Sequence, residues 1–156
     1  MTAFLLLKIL HVMGATVLLG TGAGIAFFML MAHRSGDPRM IAHTAGVVVL
    51  ADTVFTATAV LLQPVSGVAL AWLAGYSLLE GWVVASLLLY VLTGAFWLPV
   101  VWMQIRMRDL AHRAVAEGTA LPPLYDRLFR TWFAFGFPAF FAVMAIIALM
   151  VVRPSF

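Results

Sequence analysis

Residues 5–24 read LLLKILHVMGATVLLGTGAG, an apolar run interrupted only by Lys8 and His11 among ionisable residues. The run opens at Phe4 and continues past Met31, longer than the ~20 residues a helix needs to cross a bilayer. No short apolar core is followed by a small-residue cleavage motif, so it is expected to be a span rather than a signal peptide. Lys8 and His11 are three residues apart, on one helical face about a turn from each other. Two ionisable groups near one end of a spanning helix need a partner or a task.

The rest of the chain has the same character. Of 156 residues, 65% are hydrophobic and 10% charged, and the mean hydropathy is +1.10. Soluble domains carry about 25% charged residues, so this chain cannot clothe a water-facing surface. Four apolar segments stand out, roughly 4–31, 44–73, 82–105 and 129–152. The sequence therefore predicts an all-α membrane protein, four transmembrane helices in one bundle spanning residues 1–156 as a single domain. The breaks carry turn chemistry. Asp37 and Pro38 read as an N-cap and first helical residue, and the third helix is expected to run past the bilayer to Gly118, helped by an Asp109–Arg113 pair.

Arginine sets the orientation. Arg34, Arg39, Arg106, Arg108, Arg113, Arg127 and Arg130 lie in or beside the first and third breaks, whereas the second break has no Lys or Arg. The positive-inside rule puts those two loops in the cytoplasm and both termini outside, which for a bacterial inner membrane is the periplasm. Interleaved Asp109, Glu117 and Asp126 argue against a nucleic-acid surface; topology and anionic-lipid contact account for the arginines. With no cysteine, there is no disulfide, thiolate metal site or c-type haem attachment.

Two polar rows run along the apolar helices. Asp52, Thr56, Ala59, Gln63 and Ser66 share one face of the second; Ser86, Tyr90, Thr93, Trp97 and Gln104 share one face of the third. Both rows should point into the bundle. Ordinary interhelical hydrogen bonding explains the Ser, Thr and Tyr residues. Asp52 lies about 12 Å into its span by helix rise, where a carboxyl must be protonated or paired. Thr56, Gln104 and Arg106 are its candidate partners, and a structural role and a proton relay through Asp52, Thr56 and Gln104 both stay open. Trp72, Trp82, Trp102 and Trp132, near span ends, read as interfacial anchors, and Trp97 as interior. Pro64, Pro99 and Pro138 are candidate kinks. Gly20 and Gly24 form a GxxxG, a candidate homodimer face.

Of four histidines, His33, His43 and His112 fall in or next to cytoplasmic loops, where a solvated or interfacial imidazole needs no further account. His11 is the exception. By helix rise it stands at about the depth of Gln63, with small residues around it. It is a candidate haem ligand, the alternative being a histidine satisfied by a carbonyl or by Gln63.

The segment Lys8-Ile-Leu-His11-Val-Met-Gly14 resembles the KxxHxxG pattern in the first helix of HemJ-type protoporphyrinogen IX oxidases, and Gln63-Pro-Val-Ser-Gly67 a Pro/Gly break in one of their later helices. Over its whole length the chain is similar to an uncharacterised bacterial family of four-helix predicted integral membrane proteins, and more distantly to CopD-like copper-resistance membrane proteins. The resemblance implies haem or porphyrin chemistry at His11, framed by Lys8 and Gly14. It departs where HemJ-type proteins carry W-x-H-x-K: here Trp82 is followed by Val84 and Ser86, so porphyrinogen oxidation is not carried over.

The leading expectation is thus an integral membrane protein binding haem b or a porphyrin, an oxidoreductase if it is an enzyme at all. His11 would be the axial ligand, Lys8 the partner of a propionate, and Gln63 and Tyr90 supporting donors. A quinone or a periplasmic protein would exchange electrons with it. The alternative is a non-enzymatic membrane scaffold or transport subunit. Copper handling is weaker still, because most of the nine Met residues are scattered or near span ends, without clustered MxxM pairs.

Overall fold

A computed structural model describes residues 2–155, which contain helices and no strand. The helices are α1 (Thr2–Ser35), α2 (Pro38–Ala51), α3 (Ala57–Ala74), α4 (Gly81–Glu117) and α5 (Pro123–Val152). A π turn, Asp52–Thr56, joins α2 to α3 in one continuous rod. All four rods are long and apolar enough to cross a membrane. At 1.5 Å per residue the 37 residues of α4 reach about 55 Å, so the apolar span is the inner part of a longer helix.

Local chemistry fixes the ends. Asp37 caps α2, its carboxylate accepting the Arg39 N–H at 2.9 Å, with Pro38 in the first turn. Gly118 ends α4 with φ +64°, a left-handed conformation that glycine adopts without Cβ strain. Asp109 pairs with its chain neighbour Arg108 at 2.8 Å, not with Arg113. The adjacent guanidinium reaches the carboxylate first, and at this half-exposed site the pair stabilises little.

Short connections make successive rods antiparallel. α4 packs along α5 and against α2, α1 packs along α3 and α2, and α1 meets α5 to close the bundle. The densest core lies at the arginine-rich end, where Met29, Ile41, Met107 and Tyr125 are almost fully buried with Ala32, Ala45 and Ala111 between them. Small residues there let the rods approach, and contact is dispersive, because lipid tails are as apolar as the side chains.

Pro64, Pro99 and Pro138 all lie inside continuous helices. The one irregularity among the described residues is the π turn, which contains no proline: the Ala57 N–H reaches back five residues to the Asp52 carbonyl. Trp72 and Trp102 face outward, 80% and 58% exposed, as anchors should. Trp82 and Trp132, expected as anchors, are instead buried. The Trp82 Nε1 donates to Glu80 at 2.8 Å, and its ring meets Tyr76 edge-on beneath the Arg153 guanidinium. An indole whose N–H finds a protein partner can turn inward. His33 is likewise no solvated loop residue: its ring stacks on Phe129, centroids 3.7 Å apart, with Nδ1 buried and unpartnered.

Candidate functional site

All five residues of the Asp52–Ser66 row are buried. They form two polar clusters on the α2–α3 rod, with Asp52 and Gln63 about 17 Å apart by helix rise.

The first cluster joins α1 to α3. The His11 Nδ1 lies 2.8 Å from the Ser66 hydroxyl oxygen. Gln63 Nε2 donates to the His11 backbone carbonyl at 2.9 Å, so Gln63 holds the helix and leaves the imidazole to Ser66. Ser66 has one proton, and its oxygen is 2.7 Å from the Leu62 carbonyl, the usual back-bond of a helical serine. With that proton on Leu62, Nδ1 must carry its own hydrogen and donate to Ser66. The Nε2 lone pair is then free; that atom has no hydrogen-bond partner and is not sealed inside, among the described residues.

Two glycines make the contact close. A Cβ at Gly67 would stand 3.2 Å from the His11 Cε1, so the ring rests almost on the α3 backbone. A Cβ at Gly14 would collide with the Gln63 Nε2. Gln63 can swing away, but only by releasing the His11 carbonyl. Gly14→Ala is therefore expected to lower stability by about 1 kcal/mol, the scale of one interhelical hydrogen bond in a membrane, in a detergent-unfolding titration.

Other predicted site residues lie apart from the imidazole. Lys8 is exposed and makes no ion pair among the described residues. The Tyr90 hydroxyl donates to the Val60 carbonyl and ties α4 to α3 rather than serving His11. His43 lines a separate groove of about 270 Å³ with His112 and Gly46 at the arginine-rich end, far from His11 along the rods.

The second cluster joins the π turn to α4 and α5. Trp97 Nε1 donates to Asp52 Oδ1 at 3.3 Å. With the Gln104 amide turned to suit both neighbours, its Nε2 donates to Asp52 Oδ2 at 3.2 Å and its Oε1 accepts from Trp132 Nε1 at 3.3 Å. Thr56 is buried one turn away with an unpartnered hydroxyl. Arg106, a candidate partner on sequence grounds, is exposed and forms no ion pair with Asp52. It lies two residues beyond Gln104, on a different face of α4.

Sequence reasoning placed Ser66 on the buried row but could not assign it to His11, since that needs the pairing of α1 with α3. Trp132 and the π turn were missed altogether. Its position near a span end made Trp132 look like an anchor, and a π turn without proline leaves no mark in residue types.

Four apolar rods long enough to cross a membrane, with a buried row of polar side chains along one of them, define a multi-pass α-helical integral membrane protein. The chain belongs to the family described as predicted integral membrane protein (DUF2269), whose model matches residues 5–154. No curated protein and no solved structure matches it.

Proposed function

We propose that this protein binds haem b through His11 Nε2 and takes part in electron transfer within a bacterial inner membrane. The observation that carries this reading is the setting of the imidazole: Nδ1 lies 2.8 Å from the Ser66 hydroxyl, and Nε2 has no hydrogen-bond partner among the described residues. A ligating histidine is generally held in this way, its second nitrogen fixed by a neighbouring acceptor. Bound haem would supply one-electron exchange at its iron. The chain's own residues orient the ring: Ser66 sets the tautomer, Gln63 fixes the α1 backbone beneath it, and Gly14 and Gly67 keep the helices close. Lys8, one turn away, is a cation available to a propionate.

The donor chemistry fits a single axial ligand. The apolar groove on α3 lined by Pro64, Val65, Val68 and Trp72 lies on the face of that helix opposite Ser66, so it does not serve His11. A second copy of the chain is the partner we assign to complete a haem site at His11. A membrane quinone or a periplasmic protein would be the electron partner. This follows the arginine-based orientation, which puts both termini outside.

A second reading, a scaffold or transport subunit, draws support from the Asp52 cluster, where polar groups link three rods. An absorption spectrum separates the two. Protein purified in detergent from haem-replete cells should show a Soret band that sharpens, with split visible bands, after dithionite. A colourless preparation would contradict haem binding and favour the second reading.

A further inference from the structure

Asp52 is more than nine-tenths buried within a rod long and apolar enough to cross a membrane, and no cation pairs with it among the described residues. We infer that Asp52 is a proton-binding site within the span, its carboxylate taking up and releasing a proton while Trp97 and Gln104 hold it. This inference stands on the π-turn cluster and does not depend on haem at His11.

The surroundings favour neither charge state outright. An isolated carboxylate in a low-dielectric interior is costly, so a group without a counter-ion tends to take a proton. Here two neutral N–H donors reach the two carboxylate oxygens, at 3.3 Å from Trp97 and 3.2 Å from Gln104. Those are longer than the ~2.8 Å bonds that mark a strongly held carboxylate. The chain of donors is directional: Trp132 gives to Gln104, and Gln104 gives to Asp52. It partly compensates a negative charge without cancelling it. The buried Thr56 hydroxyl, one turn along, has no partner among the described residues and, able to donate or to accept, suits either form of the carboxyl. The π turn carries both groups, and such turns often mark functional sites in membrane and soluble helices.

Among the described residues no other titratable group competes for this proton at close range. Between His11 and His33, α1 has none, and α4 has none from Val91 to Ile105. In α2 the nearest is His43, and in α5 it is Arg130, both exposed; α3 contains none. The remaining aspartates, Asp37, Asp109 and Asp126, are not buried.

Infrared difference spectroscopy on the full chain in liposomes, titrated in pH, tests the inference. A protonated-carboxyl band should be present at low pH, shift with isotope-labelled aspartate, disappear in Asp52→Asn, and be lost with one midpoint as pH rises. Asp52→Glu should restore a titrating band at a displaced frequency, which covers the case of an Asn variant that does not fold. Trp97→Phe removes a donor to the carboxylate, so its band should persist to higher pH, whereas the outward-facing Trp102→Phe should leave the titration unchanged. A carboxylate that never protonates, or a carboxyl band that never titrates, overturns the proposal. So does loss of the band on adding sodium at constant pH, which would assign the site to an alkali cation instead.

Discussion

His11→Ala is expected to give a colourless protein that still inserts and folds. The substitution removes the imidazole whose Nε2 is open in the α1–α3 contact, while the Gln63 bond is to the His11 backbone and survives. Pigment should therefore be lost completely, with helix content unchanged by circular dichroism. Ser66→Ala separates ligation from packing. It keeps the imidazole but frees Nδ1, so the pigment should remain with weaker retention and an altered reduced spectrum. Full colour in His11→Ala would move the ligand elsewhere, His43 and His112 being the other imidazoles that share a groove.

The largest loss of stability is expected from Trp132→Ala, about 3–5 kcal/mol on the scale of buried aromatic truncations. Trp132 is only 4% exposed, contacts Phe129 and Phe133, and gives its N–H to Gln104. Truncation opens a void where α5 packs on α4 and leaves the Gln104 oxygen without a donor. Both costs persist in a bilayer, because they come from lost contact and an unpaired polar group rather than from water. Trp102→Ala is the control: its ring is 58% exposed toward lipid, and the loss should stay within about 1 kcal/mol. Reversible unfolding in mixed micelles measures both variants; equal losses would contradict the inward placement of Trp132.

The four rods and their connections were legible in the sequence because hydropathy, the Asp37-Pro38 start and the Gly118 stop each have a direct physical cause. The buried row from Asp52 to Ser66 was legible for the same reason, as a helical period in polar residues. What could not be read was pairing. Ser66 meets His11, Tyr90 meets Val60, and Gln104 links Asp52 to Trp132 only because particular rods lie side by side. Spacing along one helix carries no information about its neighbour. Trp82, Trp132 and His33 went astray for a related reason. An amphipathic ring near a span end can face lipid or a protein acceptor, and a stacking partner such as Phe129 lies nearly a hundred residues away in sequence.

Titrating hemin into the purified wild-type chain tests the central claim most directly. With an open Nε2 at His11, the Soret absorbance should shift and saturate at a fixed ratio of haem to protein, and His11→Ala should abolish the shift. Absorbance that rises linearly, like free hemin in the same detergent, would contradict the account and leave His11 as a helix-packing residue.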